Sequence, residues 1–211
     1  MSEQAVVFVH GIWMKGGVLM PLAQRVKPHG YRTHLFSYRS LAKTPEQNAC
    51  ELNTFLQGIQ ASEIHLIAHS LGGLVLKHLM HNHAPQKIGK VIMLGTPIAG
   101  SEVARRFNQH DFTRMLLGRA TCSGLLGDAP QWPENKPLAM IAGNRGVGVG
   151  AVLRNGFTGV SDGTVRLEET MSDEISHRYE VPFSHMGMLY APKVVKAVLS
   201  YLEHGDFDHL V

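Results

Sequence analysis

Short unbroken apolar runs alternate with stretches whose apolar residues recur at helical spacing, from one end of the 211 residues to the other with two interruptions. AVVFV (5–9) is apolar at every position, the mark of a strand covered on both faces. A helical stretch follows at about 18–29, with Val18, Leu19, Leu22 and Val26 on one face and Gly30 as its stop. YRTHLFSY (31–38) reads as the second strand. A helix from about Thr44 to Gly58 has Thr44 as N-cap, Pro45 in its first turn and Leu52, Phe55, Leu56 and Ile59 as its stripe. A strand at 63–68, a helix at 71–82, and strands KVIMLGT (90–96), PLAMIAG (137–143) and HRYEVPF (177–183) come next, closed by a helix at 192–203. Such a series demands right-handed crossovers, hence a mostly parallel, doubly wound α/β sheet of about six strands with helices on both faces. Two segments stand outside the alternation, 97–135 and the Gly-rich then polar 144–176. Long insertions in such a domain carry function more often than structure. The expected organisation is a single domain over 1–211 with a small cap at about 97–135.

Composition narrows the function classes. Hydrophobic residues at 44% and charged residues at 18% describe an ordinary globular chain, and no apolar run reaches the ~18 residues that span a membrane. A net charge of +3 gives no argument for nucleic acid. The start MSEQAVVFVHG lacks a basic segment followed by a long apolar core, so no signal peptide is read. Two cysteines, Cys50 and Cys122, imply no disulfide framework. The expected location is cytoplasmic.

The chemistry concentrates at HLIAHSLGGLV (65–75), where a strand stops at Ser70 and passes directly into helix. A serine on such a strand–turn–helix has its hydroxyl raised above the sheet edge. The sharp turn admits only small residues two before and two after it, here Ala68 and Gly72. Glycine is usual at the first of these positions, and alanine keeps it small. The bland alternative is a serine that only caps the helix. An acyl-transfer site also needs two N–H donors for the developing oxyanion. Leu71, after the serine, is one candidate. Ile12, just after His10-Gly11 at the end of the first strand, is the other, with Trp13 second to it. His10 and His69 read as structural, the side chain of His69 pointing away from the site.

A serine nucleophile needs a base and an orienting acid, in the order Ser, Asp, His for this topology. Asp162 in GVSDGTV (159–165) follows the fifth strand and His185 in VPFSHMGML (181–189) follows the sixth, so both project from the edge that carries Ser70. Asp173 is less well placed, Asp111 and Asp128 precede the fifth strand, and His177 begins a strand at the wrong end. A histidine base must be neutral to act, so activity is expected to fall below about pH 6 to 7.

AHSLGG (68–73), FVHG (8–11), MLGTPIAGS (93–101), SDGTV (161–165) and SHMGML (184–189) together resemble the α/β-hydrolase esterases and lipases. The branch most resembled contains bacterial triacylglycerol lipases and GPI inositol-deacylase-like proteins. The resemblance covers nearly the whole chain. It implies serine-ester hydrolysis without metal or organic cofactor, and it assigns the same nucleophile, acid and base. Leu-Gly-Thr-Pro at 94–97 looks like the family's strand-end turn that shapes the site floor. The chain departs from larger members in lacking their leading hairpin and in its modest cap. Thioesterase, amidase and acyltransferase chemistry would use the same residues, and a non-catalytic binding protein on this fold is the alternative from another class.

Pocket walls are expected from Trp13, Met14 and Met186. Residues 101–126 mix Arg105, Arg106, Arg114 and Arg119 with Phe107, Phe112, Met115, Leu116 and Leu117. They form either a packed helical cap or a surface that meets anionic lipid, the packed cap being the commoner outcome. His78, His81 and His83, and His204 with His209, lack a matching ligand set for metal. GNRGVGVGAV (143–152) is not a phosphate loop, since it lacks the Lys-Ser/Thr.

Overall fold

The computed structural model describes residues 3–146 and 159–210; the end of the Gly-rich run, 147–152, lies outside them. Six strands form one sheet: β1 (Gln4–Val9), β2 (Arg32–Phe36), β3 (Glu63–His69), β4 (Ile88–Leu94), β5 (Leu138–Gly143) and β6 (His177–Val181). Their order is β2-β1-β3-β4-β5-β6, and every pairing is parallel. Parallel neighbours require crossovers, and helices fill them: α1 (Met20–Val26), α2 (Pro45–Gln57) and α3 (Leu71–Asn82), with α6 (Pro192–His204) closing the chain.

Strand alternation sorts the core into two layers. Ala5, Val7 and Val9 of β1 and Leu66 and Ala68 of β3 face α2 and α3. Val6 and Phe8 of β1 and Ile67 of β3 face α1 and α6. Residues Leu71 to Met80 of α3 are all buried, and its one charge in that stretch, Lys77, is paired with Glu174 at 2.7 Å. A buried ammonium without that partner would be costly. The Thr44 cap forms as expected: its hydroxyl accepts from the Gln47 amide while Gln47 Oε1 accepts from the Thr44 amide. Such a cap contributes about 1 kcal/mol.

The helix expected over 18–29 is three pieces, with 3₁₀ turns at Gly16–Leu19 and Lys27–His29 flanking α1. Pro28 explains the second break, since it has no N–H for a continuing α-helix. Gly30 then ends the segment at φ 90°. The insertion after β4 supplies two further α-helices among the described residues, α4 (Glu102–Asn108) and α5 (Asp111–Leu117).

All six strands end at one edge of the sheet. That edge collects the His10 turn, Ser70, the Gly95 turn and the loops after β5 and β6.

Candidate active site

Ser70 sits between β3 and α3 with φ 54° and ψ −125°, a conformation rare for any residue with a Cβ. Its amide donates to the Leu94 carbonyl at 2.9 Å, and its own carbonyl accepts from the Thr96 hydroxyl at 2.9 Å and the Gly73 amide at 3.0 Å. The backbone is therefore held strained from three sides. The Ser70 side chain makes no capping bond to α3, so the bland explanation of this serine fails. The room around it is set by backbone. A Cβ on Gly72 would lie 2.5 Å from the Val9 carbonyl oxygen and 2.7 Å from that of His10. The nearest obstruction to a side chain here is the end of β1, against which α3 starts. Gly72→Ala is expected to destabilise the protein by about 3 kcal/mol or more, read by denaturant unfolding. A loss under about 1 kcal/mol would show that β1 and α3 can separate freely.

His185 and Asp162 meet. The imidazole Nδ1–H donates to Asp162 Oδ2 at 2.6 Å, and the His185 amide donates to the Asp162 carbonyl at 2.9 Å. The other carboxylate oxygen accepts from the amides of Thr164 (2.9 Å) and Val165 (2.7 Å). With Nδ1 protonated, Nε2 of His185 is left as a proton acceptor. Ser70, His185 and Asp162 are only 6%, 4% and 1% exposed.

Two glycines wrap this pair. A Cβ on Gly95, at φ 55°, would stand 3.1 Å from both Asp162 Oδ2 and His185 Nδ1, and one on Gly143 would stand 2.8 Å from Asp162 Cβ. Met188, fully buried, packs against both glycine positions. Gly95 lies in the Leu-Gly-Thr-Pro stretch and Met188 in SHMGML; for Gly143 the sequence carries no distinguishing signal, because its contacts cross strands.

On the other side lies the His10 turn. Tyr38 stacks on the His10 ring at 4.1 Å, its amide donates to His10 Nε2 at 3.1 Å, and its hydroxyl donates to the His10 carbonyl at 2.7 Å. His10 Nδ1–H donates to the Gly11 carbonyl at 2.8 Å. With both nitrogens occupied, His10 fastens the turn and offers no free base. Ile12 follows, packed on the core. Leu71 is the first residue of α3, so its own amide has no partner within the helix.

The expected orientation of His69 is corrected by the structure. Its ring lies 4.5 Å from that of His185, and its Nε2 meets the His185 main-chain carbonyl. Burial pushes His69 well below the usual histidine range, and it also lowers His10, His65 and His34. The fold holds these rings neutral, whereas the unfolded chain gains protons below about pH 6.5. Folded pKa values below unfolded ones mean stability is full above that pH and is lost as pH falls. Burial raises the Glu169 carboxyl and works in the opposite sense, one group against four. The melting temperature is expected to drop between pH 7.5 and 5.5, measured by circular dichroism. A flat or rising profile would contradict the neutral rings.

Of the expected pocket residues, Met14 is half-buried and Met186 is 38% exposed. Trp13 is 46% exposed at φ 60°, and its indole N–H donates to the Leu116 carbonyl of α5 at 2.6 Å. The cap is thus tied to the turn that bears Ile12. A second tie is the buried Glu169, whose carboxylate accepts from the amides of Glu102 (2.6 Å) and Arg166 (2.9 Å), joining α4 to the acid-bearing loop. Within the cap, Val103, Ala104 and Leu117 are buried, while Phe112 and Met115 are 79% and 78% exposed. A cavity of about 610 Å³ lined by Leu56, Ile59, Ile64, Asn82 and Ile88 lies at the opposite end of the sheet, away from Ser70. Among the described residues no group of three or more His, Cys, Asp or Glu side chains could hold a metal, and no helix is long and apolar enough to cross a membrane.

Residues 2–160 match the family model described as "Domain of unknown function (DUF7379)". No curated protein matches the chain. Among solved structures, the mature form of Bacillus licheniformis lipase BlEst2 is similar at TM-score 0.72 and 20% identity, over 96% of this chain and 90% of that one. A thermophilic esterase from Thermogutta terrifontis is similar at TM-score 0.64 and 15% identity, over 96% and 90%. A pyrethroid hydrolase from Sphingobium faniae JZ-2 is similar at TM-score 0.63 and 14% identity, over 97% and 98%. The fold is that of the α/β-hydrolases.

Proposed function

Since the chain belongs to the DUF7379 family and carries the α/β-hydrolase fold, we propose that it is a serine hydrolase of carboxylic esters. The observation that carries this reading is the strained Ser70 elbow at the same sheet edge as the 2.6 Å His185–Asp162 pair. Ser70 Oγ attacks the ester carbonyl while His185 Nε2 takes its proton. Asp162 holds the imidazole in the Nδ1–H tautomer and stabilises the imidazolium. The Ile12 and Leu71 amides receive the oxyanion. His185 then returns the proton to the departing alkoxide. Water, activated by the same histidine, hydrolyses the acyl-enzyme and frees Ser70. The hydrolytic activities named for the similar structures support this reading through their shared fold. The exposed Phe112 and Met115 of the cap favour an apolar acyl chain or a lipid surface as the substrate phase.

A fluorophosphonate probe on wild type beside Ser70→Ala tests the nucleophile. Turnover of p-nitrophenyl esters of rising chain length, of a thioester and of an anilide then separates esterase from the related acyl-transfer activities. Long-chain ester presented in neutral and in anionic vesicles tests the cap's preference. Labelling of wild type alone is the expected result. A folded wild type that does not label would sink the reading and favour a binding protein on a hydrolase fold.

A further inference from the structure

The proposed mechanism leaves one fully buried, chemically capable group at the site unused. His69 is the last residue of β3, wholly buried, and its Nε2 lies 3.2 Å from the main-chain carbonyl oxygen of His185. A nitrogen facing a carbonyl must carry the proton, so the ring is the Nε2–H tautomer. Its other nitrogen, Nδ1, is buried without a hydrogen-bond partner among the described residues. That nitrogen faces the oxyanion turn: a methyl group on Gly11 would stand 3.3 Å from it and 3.0 Å from Ser70 Cβ. One imidazole therefore fills the space between the turn before Ile12 and the ring of His185.

We infer that His69 is a positioning residue for the reaction, clamping the His185 main chain through Nε2–H and setting the gap between the base and the oxyanion turn. This rests on the proposed roles of Ser70 and His185. An aliphatic side chain could fill the volume but could not donate to the His185 carbonyl. An orphaned Nδ1 is an unfavourable thing to bury, and a phenyl ring would avoid it. Its presence is accounted for by the need for the N–H on the far side of the same flat ring. The His185 carbonyl belongs to the residue whose Nε2 must reach Ser70, so a slack clamp displaces the base. Displacements of about 1 Å cost up to about 100-fold in rate.

The test compares His69→Phe, which keeps a ring without the donor, with His69→Gln, which keeps an N–H without the ring. Steady-state kinetics on a soluble short-chain ester are read beside the downfield proton resonance of the His185–Asp162 hydrogen bond. For His69→Phe the expected result is a kcat lowered about 10- to 100-fold at a KM within about twofold, with a shifted or broadened downfield proton. His69→Gln should recover most of both. Wild-type kcat and an unmoved resonance in His69→Phe would overturn the proposal. So would equal losses in both variants that track their melting temperatures, which is the mark of packing alone. If His69→Phe does not fold, His69→Gln decides: near-wild-type kcat and resonance support the clamp, and a large loss in a folded protein overturns it. A wild type inert to fluorophosphonate would count against the hydrolase reading, while the resonance would still report whether His69 positions His185.

Discussion

Ser70→Ala is expected to lower turnover of a soluble ester by roughly ten-thousand- to a million-fold, with KM little changed and labelling by fluorophosphonate abolished. The size of the loss follows from what Oγ does. Without it no acyl-enzyme forms, and only binding and the oxyanion amides remain to assist attack by water. The substitution should not unfold the protein, because the Ser70 side chain caps nothing and the strained turn is held by main-chain bonds to Leu94, Thr96 and Gly73. Alanine keeps the Cβ that the positive φ already tolerates. Kinetics beside a melting curve check both halves. Retention of more than about one-hundredth of wild-type activity would mean that another group is the nucleophile.

On the proposed mechanism, Asp162→Asn is expected to lower kcat by about ten-thousand-fold near neutral pH, as in enzymes that orient a histidine base with an aspartate. The carbonyl oxygen of asparagine can still accept from the Thr164 and Val165 amides, so the loop keeps its shape. Its NH₂ would then face His185 Nδ1 and would donate where the carboxylate accepted. The imidazole has to present a lone pair at Nδ1 and a proton at Nε2, which is the tautomer that cannot take the proton from Ser70. Chemistry is lost while geometry is kept. A fall of less than tenfold would move the acid elsewhere, with Asp173 the next carboxylate to try.

Most of the fold could be read from the alternation of apolar runs and helical stripes, because each element declares its period locally. Thr44 and Gly30 marked element ends through chemistry that acts within four residues. The strand–turn–helix at Ser70 was legible for the same reason, and Asp162 and His185 followed from chain order and strand ends. The reading failed where contacts cross the chain. His69 was taken to point away, since only the turn at Ser70 and the β6 loop together decide where its ring goes. The same holds for Gly143, which makes room for Asp162, and for the Trp13 indole on the Leu116 carbonyl, 103 residues away. Gly72 was expected to be small from the local turn, and the nearest obstruction to a larger residue lies across the chain. The obstruction is the backbone of β1, which no local pattern announces.

The place of each strand in the sheet divides the labour of the site. β3, which ends at Ser70, is bonded to β1 on one side and β4 on the other, and nearly all of it is buried. β6, which leads to His185, is an edge strand that bonds only to β5 among the described residues. Sheet interiors open at higher free energy than sheet margins. The strained turn at Ser70, the proposed nucleophile, is anchored on an interior strand with bonded neighbours on both sides. The proposed base follows an edge strand, where small shifts cost less, and in our proposal His69 is the tether that keeps that freedom short.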